Sequence, residues 1–186
     1  MNKFDEIKKE IEKLTKNSIS EIEHSHSLSV LKWTIKLKPD ADISLKIAAL
    51  GHDIDRSFPE KRIKSEDFDN YADYKRAHSK KSAEIISELM TKFNLDNKII
   101  EKTRFLIENH EIGGEGDVEI LKEADSLSFF ENNLLDYKKK NPRYFEDKIV
   151  FMYKRLSKKA REMILKIKFQ NDELKRVFMD TIEKQI

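Results

Sequence analysis

The sequence contains no cysteine, which excludes disulfides, thiolate metal sites and cysteine nucleophiles together and leaves a reducing compartment unremarkable. Neither sign of charge dominates. Lysine and arginine number 37 against 35 acidic residues, a net charge of +2, so bulk electrostatics lend no support to a generic polyanion-binding role. No apolar run approaches the roughly 20 residues that a bilayer-spanning helix needs. The opening segment, MNKFDEIKKEIEKLTK, has the pattern of an amphipathic charged helix without the apolar stretch of a secretion signal. A soluble cytoplasmic protein is expected, with no membrane partner and no strong nucleic-acid signal. Strand-like alternation bounded by turn residues is also missing, and 186 residues suffice for one domain with a sizeable core. The expected fold is all-α, a single domain over 1–186.

What is present is helical periodicity. Phe4, Ile7, Ile11 and Leu14 mark one face of a first helix, and a second covers about Ser27 to Lys38, stopping at Pro39. Asp42 caps a third that runs through Ile43, Ile47 and Leu50, and residues 54–67 read as a polar loop containing Pro59. A long fourth helix places Tyr71, Tyr74, His78, Ile85 and Leu89 on one face; a fifth aligns Ile99, Thr103, Leu106 and His110. HEIGGEGD breaks the chain, Asp117 caps a sixth helix, and Val118, Leu121, Asp125 and Ser128 share its face. Two or three amphipathic helices follow Pro142, with Ser157 and Asp172 as caps. All four glycines, Gly51 and the three within 113–116, border candidate ligands, where close packing or substrate entry would use them.

Three helices thus carry a single ligand-type residue on an otherwise apolar face: His78, His110 and Asp125. A charged or imidazole group on an inward face is costly unless paired or metal-bound, so their repetition implies that these groups meet. His52 and Asp53 close the apolar run of the third helix and point about 100° apart, which lets both reach one centre. His26 opens the run SLSVLKW and joins the same series, whereas His24, two positions earlier, faces elsewhere and reads as a surface histidine. Four imidazoles and two carboxylates suit Mn, Fe, Co, Ni or Zn better than Ca or Mg.

The ordered series H…HD…H…H…D, spread over residues 26–125 with the flanks AALGHDI and LKEADSLSFF, resembles the HD-domain superfamily of metal-dependent phosphohydrolases, in an uncharacterised branch. The resemblance implies a compact HD-type helical bundle with its metal-site core at about 20–135 and additional C-terminal helices over about 142–186. It also implies that His26, His52, Asp53 and Asp125 hold one metal, and that His78 and His110 complete a site for a second, so that two divalent transition metals per chain are expected. One departure is Ser29, at a position where many members of that superfamily have arginine.

The implied reaction is hydrolysis of a phosphate ester or anhydride of a nucleotide or related small compound, with Asp53 bridging two metals that activate a hydroxide. An anionic substrate needs cations: Arg56 is the first candidate, then Lys75 and Arg76, with Lys148 and Arg155 seven residues apart on one face of the basic tail. Each could instead be a solvated surface charge, Arg56 paired with Asp55 or Glu60. Asp55 and Glu111 are candidates for proton transfer or for supporting an imidazole N–H. Tyr71 and Tyr74 suit either a core or a stacking surface for a base. Competing expectations are a diiron oxygenase of the same superfamily and a non-catalytic nucleotide-binding sensor.

Overall fold

Short polar side chains decide where most of the helices begin. In the computed structural model, which describes residues 2–18, 21–60 and 62–184, Asn2 accepts from the Asp5 amide at 2.9 Å to open α1 (Lys3–Lys16). Asp42 accepts from Leu45 N at 3.0 Å to open α3 (Ile43–Gly51), after α2 (Glu21–Leu37) has run out before Pro39. Asn70 and Asp96 do the same for α4 (Tyr71–Lys92) and α5 (Asn97–Asn109). Such caps contribute about 1 kcal/mol each. Every regular element among the described residues is helical, as the periodicity leads one to expect.

Four boundaries differ from the sequence reading. α2 starts at Glu21 rather than near Ser27, so His26 lies inside a helix and not at its mouth. Gly116, at φ 61°, takes the cap position of α6 (Asp117–Ser128), and Asp117 is the first helical residue. Its carboxylate is engaged by Lys38 and Lys102, each at 2.6 Å. Asn171, not Asp172, caps α10 (Asp172–Glu183), whereas Ser157 caps α9 (Lys158–Ile164) as expected. Finally, 54–67 is not uniformly polar surface: Ile54–Ser57 forms a 3₁₀ turn in which Ile54 and Asp55 are buried.

The core is built around α2, α3, α4, α5 and α6, with α1 laid across α2 and α3. α3 approaches α4 so closely that a Cβ on Gly51 would stand 2.4 Å from Ile86 Cδ1, which is why glycine precedes the His-Asp pair. After α6 the helix passes through a π-helical segment, Phe129–Asn133, into α7 (Leu134–Lys140). Phe130, fully buried there, meets the Phe178 ring edge-on at 5.1 Å and ties α8 (Phe145–Lys154) and α10 to the bundle. Burial of one such ring contributes roughly 1.5–3 kcal/mol.

Candidate metal centre

Two helices end in histidine, and they do so in the same way. His52 follows α3 and His110 follows α5; each ring folds back so that Nδ1 reaches the carbonyl three residues earlier, Ala49 O at 3.2 Å and Ile107 O at 2.7 Å. A carbonyl only accepts, so both Nδ1 atoms carry hydrogen and both Nε2 atoms turn inward. His26, from the middle of α2, places Nδ1 2.8 Å from Ser128 Oγ, whose hydroxyl donates to the His26 carbonyl. His78, from α4, sets Nδ1 2.8 Å from Asp55 Oδ1 and stacks on Tyr74 with ring centroids 5.9 Å apart. Each of the four rings thus has an oxygen beside Nδ1, two backbone carbonyls, one carboxylate and one serine hydroxyl, and the carbonyl and carboxylate partners are of the kind that support metal-bound imidazoles.

Their Nε2 atoms converge with carboxylate oxygens. His26 Nε2 lies 3.3 Å from His52 Nε2, and the pair faces Asp125 Oδ1 at 3.4 and 3.8 Å and Asp53 Oδ2 at 3.9 and 3.7 Å. The other oxygen of Asp53, Oδ1, lies 2.7 Å from His78 Nε2 and 3.9 Å from His110 Nε2. Asp53 therefore sits between two half-sites and presents one oxygen to each. His110 Nε2, buried without a hydrogen-bond partner, is 3.6 Å from Glu111 Oε1. The donor atoms form three overlapping groups that could hold a metal ion: His26, His52 and Asp125; His52, Asp53 and His110; His78, His110 and Glu111.

The charges agree with this geometry. Burial resists ionisation of Asp53, yet the Arg56 guanidinium, His52 and His78 hold its carboxyl well below the usual range. Asp125 is likewise buried and likewise held well below it by contacts with His26 and His52 and by Arg155. Burial lowers His110 to about 4, leaving a neutral ring at pH 7, whereas for His52 and His78 the carboxylates overcome burial and raise the pKa. Glu111, against the cost of burial, is lowered to about 2 by Lys75, His110 and Arg155.

His26, Asp53, Glu111 and Asp125 form the floor of a cleft of about 200 Å³ walled by α4, the π segment, α7 and α8, and the rings of His52, His78 and His110 lie buried beneath it. Of the expected cations, Arg56, Lys75, Lys148 and Arg155 all line it. Arg56 pairs with Asp53 and lies 4.0 Å from Glu23, not with Asp55 or Glu60. Lys75 pairs with Glu111, and Arg155 contacts both Glu111 at 3.4 Å and Asp125 at 3.2 Å. Arg76 does not belong to the cleft: one residue on from Lys75, it turns out of it and pairs with Asp73 at 3.0 Å, its side chain 68% exposed.

Of the two roles expected for Asp55, proton transfer and support of an imidazole N–H, its position fits the second. It is completely buried, bonded by Ser82 at 3.0 Å and in contact with His78, so it orients that imidazole and cannot touch a substrate. Glu111 does line the cleft, but a carboxyl held so low is a ligand or an anchor for Lys75 and Arg155 rather than a proton donor. Tyr71 is 59% exposed at the rim, not core. His24 stays outside the centre, 2.9 Å from Thr15 Oγ1. Phe129, Asn133, Asp136 and Asn141 complete the wall without having been singled out by sequence. Only the π segment brings Phe129 and Asn133 there, and nothing in the periodicity announced it. Ser29, the departure from the HD pattern, bonds Glu131 at 2.5 Å, as does Trp33 Nε1 at 3.0 Å, in a polar hub three to seven residues along α2 from His26 on the same side of that helix.

Residues 1–177 match the model of a family described as Domain of unknown function (DUF4202), a stretch that contains all the residues of the cluster and cleft. No curated protein and no solved structure matches. No helix among the described residues is long and apolar enough to cross a membrane.

Proposed function

The chain belongs to the DUF4202 family, and from that premise and the layout of its cleft we propose that it is a metal-dependent phosphohydrolase of the HD type, acting on a phosphate ester or anhydride of a nucleotide-like small molecule. The observation that carries this reading is the meeting of four inward Nε2 atoms with Asp53 and Asp125 beneath a wall bearing Arg56, Lys75, Lys148 and Arg155. Donors of this kind suit Mn, Fe, Co, Ni or Zn, and His26, His52, Asp53, His78, His110 and Asp125 would hold two such ions per chain. Such ions, when bound, polarise a phosphoryl oxygen and lower the pKa of water toward neutrality.

The chain's own residues do the rest. Asp55, Ser128 and the carbonyls of Ala49 and Ile107 fix the ring orientations, so ligation requires little rearrangement. Lys75 and Arg155 hold Glu111 and Asp125 as carboxylates while keeping positive charge beside the centre, where a phosphoryl group in transfer gathers negative charge. Arg56 does the same over Asp53.

The test is release of phosphate from a panel of nucleotides and simple phosphate esters by chain loaded anaerobically with Mn(II), Fe(II) or Co(II), with oxygen uptake followed in parallel. Turnover that is removed by chelation and by Asp53→Ala supports the proposal. Oxygen consumption without phosphate release would replace it with an oxygenase, and tight nucleotide binding without either would replace it with a sensor.

A further inference from the structure

Five cations line the cleft, and four are held by carboxylates: Arg56 by Asp53, Lys75 by Glu111, Lys140 by Asp136 at 2.8 Å, and Arg155 by Glu111 and Asp125. Lys148 is the fifth. Among the described residues no carboxylate lies within ion-pair distance of it; its ammonium instead sees three aromatic rings, Phe129 at 5.4 Å, Tyr137 at 5.7 Å and Phe151 at 5.1 Å. Ring faces attract a cation but do not neutralise it. Burial, together with the like charges of Lys75 and Arg155 and against the carboxylates of Asp125 and Glu111, pulls the ammonium down to about 8. A charge so placed gains most from an arriving anion.

Its position indicates what else that anion carries. Lys148 stands where the cleft meets a second hollow of about 300 Å³, walled by Tyr71, Tyr137, Tyr144, Phe151 and a single carboxylate residue, Asp147. Tyr71, Tyr144 and Phe151 are each at least half exposed, so the hollow has an aromatic surface facing solvent. On the cleft side Asn133 lines the wall, its side-chain oxygen Oδ1 buried without a hydrogen-bond partner. We propose that Lys148 receives the phosphate of an organic phosphomonoester whose organic part, bearing a flat apolar face, lies in this aromatic hollow. This deepens the phosphohydrolase reading and rests on it.

The probes are phenylphosphonate, methylphosphonate and inorganic phosphate, titrated calorimetrically into the full chain with and without Mn(II), with metal content measured on the same samples. Wild type should bind phenylphosphonate about tenfold more tightly than methylphosphonate, the difference expected of one stacked ring. Lys148→Met should weaken both by about tenfold or more, the loss of one charge-assisted contact, while Lys148→Arg retains most of the affinity. Tyr71→Ala, at an exposed position, should weaken phenylphosphonate alone. Thermal melts identify any variant that fails to fold. Equal binding by wild type and Lys148→Met, or no phosphonate binding by wild type, overturns the inference. Metal uptake without Lys148-dependent binding would sink this inference and leave the hydrolase reading standing; Lys148-dependent binding by a chain that takes up no metal would do the reverse.

Discussion

Two clusters of charge in this molecule are built from similar materials and come to opposite ends. Around Asp117, one carboxylate oxygen takes Lys38 and the other Lys102; Lys102 also reaches Asp42 Oδ2 at 2.7 Å, and the remaining oxygen of Asp42 caps α3. Every oxygen has a donor, and the network is complete as it stands. In the candidate metal centre, nitrogen faces nitrogen, one Nε2 has no partner, and Asp53 is divided between two pairs of imidazoles. Buried polar groups are ordinarily matched, and a set this well oriented and this poorly matched is one that could hold a metal ion. The comparison sets charges that complete one another within the fold beside charges that leave room for a ligand.

The most severe way to break the comparison is Asp53→Ala, which removes the oxygen shared by both half-sites; turnover should fall to background and metal content should collapse, while the Asp117 network is untouched. Asp55→Asn tests support at one remove. It keeps a hydrogen-bond acceptor beside His78 but discards the charge, and metal affinity should drop by about tenfold or somewhat more. Gly51→Val should cost about 1–3 kcal/mol in urea unfolding by driving α3 away from Ile86. Any loss of metal in that variant should follow the displacement of His52. Asp117→Asn is the mildest, with about 0.5–1 kcal/mol lost and metal content unchanged.

The Asp117 network also has a pH signature. Burial opposes ionisation of Asp117, but hydrogen bonds from Lys102 and Lys38 lower its pKa in the folded chain. A depressed carboxyl adds stability that is full above the unfolded value of about 4 and is lost as pH falls through the lower folded value. Thermal melts of wild type should therefore lose ground against Asp117→Asn below pH 4, and a constant gap from pH 7 down to pH 3 would show that Asp117 contributes no such linkage.

Much of this was legible in the sequence because it follows from period and capping. Apolar spacing placed Ile7, Ile47, Leu106 and Leu121 inside, and one inward polar residue per helix marked His78, His110 and Asp125. His52 and Asp53 could be read as a pair because the apolar run stops there. What could not be read depends on tertiary placement. Asp55 can be read in sequence as either a proton-transfer group or a support for an imidazole, and only the 3₁₀ turn that buries it against His78 and Ser82 decides between them. Arg76 and Lys75 are neighbours of equal charge, and only the rotation of α4 sends one to the cleft and the other to solvent. Lys148 and Arg155 resemble a basic surface until the π segment and α8 close the wall.

The claim that matters most is that the histidines and aspartates form a two-metal centre, and it is tested most directly by metal content per chain after anaerobic loading with Mn(II) or Fe(II). The account predicts two ions in wild type, falling toward one in His78→Ala and in His110→Ala. A chain that takes up none, or one that takes up a single ion and is indifferent to both substitutions, would contradict it.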